Sequence, residues 1–256
     1  ADVTAISVSP DGTNINKNCG STNIQELMDF VTDNGFDCGL AFDGDADRVI
    51  ATDERGNIVD GDRIMGICAK AMKAEGRLKK DTLVVTVMSN IGLKKRMTEL
   101  GINVAETKVG DRYVLEEMLK EGYSIGGEQS GHVIFLDKNT TGDGMLTAIQ
   151  VLDVMKSTGR RMSALANDIP IYPQVLVNVI VDNEIKHQAM EDQDLWQRIR
   201  DVEGKLGSSG RVLVRASGTE PIIRVMLEGQ NTDEISDCAI YIVKVLEQKY
   251  KGKIRV

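Results

Sequence analysis

Apolar residues recur along the middle of the chain with the period of a helix in some segments and of a strand in others. The two patterns alternate in a regular order. The predicted elements are, in turn, a helix at 63–76, a strand at 82–88, a helix at 92–101, a strand at 102–107, a helix at 111–122, a strand at 123–128 and a helix at 142–159. Such alternation is typical of an α/β fold with a mixed, mostly parallel sheet and helices on both faces.

The segment before this alternation predicts a helix at 23–35 that ends at Gly35, and a short strand at 38–42. The stretch 48–60 alternates on both sides of Arg55-Gly56-Asn57, which predicts a hairpin. Residues 1–21 have neither a helix cap nor a clear strand pattern, as though the chain were entered partway through a domain.

Two prolines, Pro170 and Pro173, indicate a linker. The elements predicted beyond it are a strand at 175–181, a helix at 184–202, strands at 210–216 and 222–229, and a last helix from Thr232. This order is typical of a small α+β domain with an antiparallel sheet. We therefore expect three parts, at 1–60, 61–169 and 170–256.

Composition narrows the class of protein. The chain has 256 residues, of which 41% are hydrophobic and 27% charged, as in ordinary soluble globular proteins. A net charge of −8 makes nucleic acid an unsuitable partner, and no apolar run is long enough to span a bilayer. Four scattered cysteines without a CxxC pair are typical of reduced thiols, so we expect a cytoplasmic protein.

An acidic loop follows the strand predicted at 38–42. It carries Asp43, Asp45 and Asp47 in a D-x-D-x-D pattern, and Arg48 comes next. Carboxylates this close repel each other by about 1 kcal/mol per pair at 4 Å in water. Three hard oxygen ligands suit Mg²⁺, which would relieve that repulsion, and Arg48 could hold a phosphate or pair with one of the carboxylates. The alternative is a solvated acidic turn.

Three other loops carry polar side chains. Glu128, Ser130 and His132 alternate after a strand and suit hydrogen bonding to sugar hydroxyls, although a single histidine is often structural. Lys108 and Arg112 flank a strand-to-helix turn, where anions are favoured.

The last of these loops, "RASGTEP", lies between two strands of the final part. Its turn residues and the flanking arginines could form a phosphate nest: Arg215, Ser217, Gly218, Thr219 and Arg224. The alternative is a plain hairpin with exposed arginines.

Together these loops resemble those of the α-D-phosphohexomutases. The resemblance covers essentially the whole chain, through "DGDADR" at 43–48, "GEQSGH" at 127–132 and "RASGTEP" at 215–221. Gln129, the "SGTEPIIRVMLEG" form of the third motif and "TKVGDRYV" look like the branch that acts on glucosamine phosphates.

The resemblance implies four domains, of which this chain corresponds to the end of the second (1–60, with the metal loop), the third (61–169, with the sugar-recognition loop) and the fourth (170–256, with the phosphate-binding loop). It implies Mg²⁺ on the three aspartates, sugar contacts from Glu128, Ser130 and His132, and a phosphate on the last loop. Lys108 and Arg112 would assist proton transfer or phosphate orientation, and Arg48 is the third catalytic candidate. Glucosamine phosphates and glucosamine 1,6-bisphosphate would be the ligands, and a homodimer is left open.

One departure is large, because the phosphoserine of this family lies in a Ser-His-Asn-Pro stretch and no such stretch is present. We therefore expect an N-terminal domain of the same enzyme to be missing, and this portion alone to be inactive. The alternatives are a phosphomannomutase or phosphoglucomutase, a haloacid-dehalogenase-like phosphatase, and a non-catalytic module that binds Mg²⁺ and sugar phosphate.

Overall fold

The computed structural model describes residues 1–218 and 220–255, in two compact units, Ala1–Pro170 and Ile171–Val256. The helices and strands of the first unit are, in chain order, α1 (Gln25–Asn34), β1 (Cys38–Phe42), β2 (Val49–Asp53), β3 (Ile58–Val59), α2 (Gly61–Ala74), β4 (Thr82–Thr86), α3 (Ile91–Glu99), β5 (Asn103–Thr107), α4 (Asp111–Glu121), β6 (Ile125–Gly127), β7 (Val133–Phe135), α5 (Gly144–Thr158) and α6 (Met162–Asn167).

A small antiparallel sheet in the order β1-β2-β3 holds the acidic loop. Phe42 pairs with Val49, so the loop is the connection of the β1–β2 hairpin. The predicted turn between β2 and β3 is present, with Gly56 at φ 78°, a value that favours glycine. Helix α1 ends as predicted at Gly35, which is left-handed and donates its N–H to the Val31 carbonyl.

The main sheet of the first unit has the order β5-β4-β6-β7. Strands β4, β5 and β6 are parallel, and β7 is antiparallel to β6. Val84 packs in a cluster with Val114 of α4, whereas Leu83 and Val85 belong to the core shared with α2 and α3. Helices therefore cover both faces, and the loops after the three parallel strands leave the same edge of the sheet.

The second unit contains β8 (Gln174–Ile180), α7 (Asn183–Met190), α8 (Gln193–Leu206), β9 (Gly210–Ala216), β10 (Ile222–Gly229), α9 (Thr232–Tyr250) and β11 (Lys253–Arg255). Its antiparallel sheet has the order β11-β8-β10-β9. Alternate residues of β10, such as Ile223 and Val225, pack against the helices, and the residues between them lie on the other face. These two units confirm the predicted fold class.

The elements differ from the sequence prediction in two respects. The single helix predicted at 184–202 is wrong, because Asp192 interrupts it. The Asp192 side chain accepts hydrogen bonds from the Asp194 and Leu195 amides and so starts α8 as a new helix. The short elements β7, α6 and β11 were not predicted. Among the described residues, none of the helices combines the length and the apolar character that crossing a bilayer requires.

Candidate functional site

The β1–β2 loop gathers three aspartates. One carboxylate oxygen from each of Asp43, Asp45 and Asp47 lies within 4.8 Å of the others, and Asp45 is the exposed member. Ala46 makes the tight turn between them at φ 58°. Asp43 Oδ1 accepts the Arg48 amide at 3.1 Å, and Arg48 Nε lies 3.6 Å from Asp43 Oδ2 and 3.7 Å from Asp47 Oδ1. One arginine thus partly balances three negative charges.

This cluster fits a divalent cation with oxygen ligands. Asp47 Oδ1 is buried and accepts no hydrogen bond in the described part of the chain, with Arg48 Nε 3.7 Å away. Ligands on opposite sides of an Mg²⁺ octahedron lie roughly 4 Å apart. Adjacent ligands lie only roughly 3 Å apart, so rotation of the carboxylates would have to bring these oxygens closer together to bind one Mg²⁺.

His132 holds the third aspartate in place. Its ring is 3% exposed, and Nδ1 lies 2.9 Å from Asp47 Oδ2. Nε2 accepts the Gly142 amide N–H at 3.1 Å, so Nε2 carries no proton and Nδ1 is the donor to the carboxylate. A short antiparallel bridge between Arg48 and His132 joins the two loops through the backbone. His132 thus orients a candidate metal ligand, as a second layer of residues does around metals.

We expect Gly142→Ala to disturb this arrangement. A Cβ at Gly142 would lie 2.5 Å from His132 Nε2 and 2.6 Å from Cδ2, which forces the ring to shift. Overpacking of this kind costs about 1–3 kcal/mol. Urea unfolding should show a loss of that size, and Mg²⁺ affinity should fall. In a His132→Ala background the added methyl has room, so its cost should disappear. An equal cost in both backgrounds would contradict the contact.

The predicted sugar-recognition loop is tied to two neighbours. Glu128 Oε1 accepts the amide of Gly110, the residue before α4, at 3.0 Å. Gln129 Nε2 donates to Asp60, and the Gly61 amide donates to the Gln129 carbonyl. The loop is therefore fixed to the starts of α4 and α2. Because His132 lies at its other end, one loop links the acidic cluster to the segment that contains Lys108.

The other predicted side chains of this unit remain near solvent. Ser130 is exposed. The Lys108 ammonium lies 6.0 Å from the centre of the Tyr113 ring, and Arg112 pairs with Glu116 at 2.7 Å. In the part of the chain that the structure describes, no hydrogen bond or ion pair connects Lys108 or Arg112 to the acidic cluster.

The turn of the second unit places hydrogen-bond donors together. Ser217 is 5% exposed, and its amide donates to the Ile222 carbonyl. Its Oγ accepts the Glu220 amide at 3.2 Å, and among the described residues its hydroxyl donates no hydrogen bond. Gly218 is exposed, and Thr219 lies outside the described residues.

Three arginines share one row across the second sheet. Arg224 pairs in register with Arg215 on one side and with Asn178 on the other, and Arg255 pairs with Asn178. All four side chains lie on the face opposite the helices. Burial, followed by the charge of Arg224, lowers the pKa of Arg215. This face offers concentrated positive charge.

A carboxylate of the same turn neutralises part of that charge. Glu220 accepts Arg224 Nη2 at 2.9 Å and Arg255 Nη1 at 3.0 Å. Hydrogen bonds from Arg255 and Arg224 lower the pKa of Glu220. An incoming phosphate would compete with this carboxylate for the same guanidinium groups.

Sequence reasoning missed four residues that shape these sites. They are Gly142, Glu220, Arg255 and Lys186, whose ammonium donates to the Ser217 and Glu220 carbonyls. The "GDG" at 142–144 was a usable signal for a tight backbone approach, and the glutamate of "RASGTEP" lay inside a quoted motif. No local pattern indicated the other two.

Comparison with known protein families supports the folds described for the two units. Residues 60–172 match the model described as phosphoglucomutase/phosphomannomutase, alpha/beta/alpha domain III, and residues 176–245 match the C-terminal domain of the same family. The chain belongs to the phosphoglucomutase/phosphomannomutase family. Among its relatives, phosphoglucosamine mutases from Clostridium perfringens and Clostridium novyi are 56% and 54% identical over 249 residues. Each match covers 97% of this chain but 56% of the relative, so the chain spans little more than half of their length.

Solved structures show the same fold. A phosphoglucomutase/phosphomannomutase family protein from Burkholderia thailandensis superposes with a TM-score of 0.74 at 20% identity, over 92% of this chain and 52% of that one. Aspergillus fumigatus N-acetylphosphoglucosamine mutase in complex with GlcNAc-6P and magnesium gives 0.71 at 20% identity, over 90% and 57%.

Proposed function

We propose that this chain carries the metal-binding, sugar-recognition and phosphate-binding loops of a phosphoglucosamine mutase, which interconverts glucosamine 6-phosphate and glucosamine 1-phosphate for UDP-N-acetylglucosamine and peptidoglycan precursor synthesis. The observation that carries the proposal is the cluster of Asp43, Asp45 and Asp47, in which the buried Asp47 Oδ1 accepts no hydrogen bond from the described residues. The 54–56% identity to phosphoglucosamine mutases supports the choice of sugar. The enzyme would act in the cytoplasm.

The three aspartates would hold Mg²⁺, which supplies positive charge to the phosphoryl group during its transfer. His132 keeps the Asp47 carboxylate in one orientation, so that ligand does not have to reorganise during the reaction. Arg48, which lies beside both Asp43 and Asp47, is the arginine we assign to the transferring phosphate. Its two weak ion pairs leave most of its donors available.

Glu128 and Ser130 would accept and donate hydrogen bonds to sugar hydroxyls. Glu128 uses one carboxylate oxygen for the Gly110 amide, and the second can accept from the sugar. Lys108 and Arg112 lie at the same edge of the sheet, and we assign them to phosphate orientation or proton transfer after a rearrangement of their side chains.

Arg215, Ser217, Gly218, Thr219 and Arg224 would hold the phosphate that is not transferred. A phosphoserine must supply the phosphoryl group, and the family's Ser-His-Asn-Pro stretch is not among these 256 residues. The second candidate is a mutase of glucose or mannose phosphates, which the resemblance of fold to the broader family favours. Relative turnover on the three sugar phosphates by a mutase that carries this sequence separates the two.

We expect Arg224→Ala and Ser217→Ala to weaken binding of glucosamine 6-phosphate to this chain. Charge-assisted hydrogen bonds contribute about 1.5–3 kcal/mol, so Arg224→Ala should weaken binding by roughly 10- to 100-fold. Isothermal titration measures this, with Arg200→Ala as an exposed control of equal charge in the same unit. Within a complete mutase the same changes should raise KM and lower kcat, because remote binding energy positions the reacting end. Unchanged binding of glucosamine 6-phosphate in both variants would exclude this loop as a phosphate-binding site.

A further inference from the structure

A buried lysine lies behind the turn of the second unit. Lys186, on α7, is 6% exposed. Its ammonium donates to the Ser217 carbonyl at 2.6 Å and to the Glu220 carbonyl at 3.0 Å. These two carbonyls lie near the two ends of the loop between β9 and β10, which we call the 217–220 turn. One side chain therefore closes the turn from behind.

The charge of this lysine is poorly compensated. Within the described residues, no carboxylate lies within 4 Å of the ammonium, and its partners are two backbone carbonyls. A buried cation without a counter-charge is costly, because neutral dipoles replace only part of its lost hydration. An anion bound at the turn would supply the missing negative charge across a few ångströms of protein, where screening by salt is weak.

The lysine also determines where the turn directs a donor. The carbonyl and the N–H of a trans peptide unit point in opposite directions. Because the Ser217 carbonyl points at Lys186, the Gly218 N–H of the same peptide unit points away from it. The carbonyl of Glu220 precedes Pro221, which has no N–H. The ammonium therefore fixes a peptide unit whose Gly218 N–H points away from the lysine.

We propose that Lys186 is a positioning residue for anion binding at the 217–220 turn, where it fixes the Gly218 amide and adds positive charge from behind. This inference rests on the proposed phosphate-binding role of the turn. The ligand class is a phosphate monoester or inorganic phosphate. The lysine does not touch the anion, and it acts through the peptide unit between Ser217 and Gly218.

The test titrates the 256-residue chain with inorganic phosphate. Nuclear magnetic resonance follows the backbone amide signals and the Lys186 Nζ signal. In the unaltered chain, phosphate should shift the Gly218 amide and the Lys186 Nζ resonance together. Lys186→Met, which keeps the length of the side chain but removes the charge and the donors, should weaken phosphate binding at least tenfold. Lys186→Arg should recover part of the affinity, and Lys244→Met, at an exposed position of the same unit, should leave it unchanged.

Each outcome bears on one proposal. A folded Lys186→Met chain with unaltered phosphate affinity overturns the role of Lys186, while loss of binding in Ser217→Ala would still support the phosphate site. Should Lys186→Met fail to fold, the phosphate titration of the unaltered chain tests the role of Lys186. A phosphate titration that shifts Gly218 but leaves the Lys186 Nζ resonance unmoved overturns the inference. Phosphate that shifts neither resonance contradicts the phosphate loop itself, and the role of Lys186 falls with it.

Discussion

Asp45→Asn should weaken Mg²⁺ binding at least tenfold and, without metal, leave the chain as stable or more stable. Among the described residues, the Asp45 side chain makes no hydrogen bond or ion pair, so the substitution removes a metal ligand without breaking a contact. It also removes repulsion from Asp43 and Asp47, which amounts to about 1 kcal/mol per pair at 4 Å in water. The opposite signs of the two effects distinguish a metal ligand from a structural residue.

Isothermal titration with MgCl₂ measures the first effect, and urea unfolding in a chelator measures the second. Asp33→Asn is the matched control, since it removes one exposed carboxylate of the same unit on α1. Asp47→Asn should behave differently and lose stability, because the bond from His132 Nδ1 is weakened in the absence of metal as well. Unchanged Mg²⁺ affinity in Asp45→Asn would exclude the acidic loop as a metal site.

The sequence predicted most of the fold because local signals and tertiary structure agree. Gly35 and Gly122 end their helices in the left-handed conformation, and the period-2 patterns at 210–216 and 222–229 match β9 and β10. The prediction failed where two local signals competed. Residues 184–202 have helical spacing throughout, which favours one continuous helix. The Asp192 side chain nevertheless caps the start of α8, so the chain forms two helices. Three-residue strands such as β7 are too short for their period to be read.

The candidate sites were predictable as loops but not as contacts. The order of strands placed the aspartates and the "GEQSGH" segment in turns, since polar residues followed apolar runs. No pattern along the chain could pair His132 with Asp47, 85 residues away, or Lys186 with Ser217, 31 residues away. Those pairs depend on strand register and helix packing. The sequence predicted His132 as a sugar contact, which stays a prediction, and its 3% exposure and two hydrogen bonds add a role in supporting a candidate metal ligand.

The 256-residue chain alone should not convert glucosamine 6-phosphate to glucosamine 1-phosphate. The mutase reaction needs one group that both donates and accepts the phosphoryl group. Ser217 is buried and holds the Glu220 amide, and Ser130 belongs to the predicted sugar loop. Neither stands in the sequence context of the family's phosphoserine. Water cannot substitute, because hydrolysis would release phosphate rather than return it to another sugar oxygen.

The measurement supplies every small molecule that the reaction requires. The purified chain is incubated with glucosamine 6-phosphate, Mg²⁺ and a catalytic amount of glucosamine 1,6-bisphosphate, and formation of glucosamine 1-phosphate is followed. The Clostridium perfringens relative serves as the positive control. Binding of glucosamine 6-phosphate to the chain is measured in parallel, so that a lack of turnover is not confused with a lack of substrate affinity.

A chimera separates a missing phosphoryl carrier from a defective site. The part of the Clostridium perfringens relative that lies outside the match, joined to this chain, should restore turnover, because the matched portions are 56% identical. Asp45→Asn and Arg224→Ala in the chimera should then lower the rate, which assigns the restored activity to the loops of this chain. Steady turnover by the unmodified 256 residues would contradict the prediction, and would require a nucleophile among the residues present. An inactive chimera that binds substrate would instead place the defect in the acidic cluster or the sugar-recognition loop.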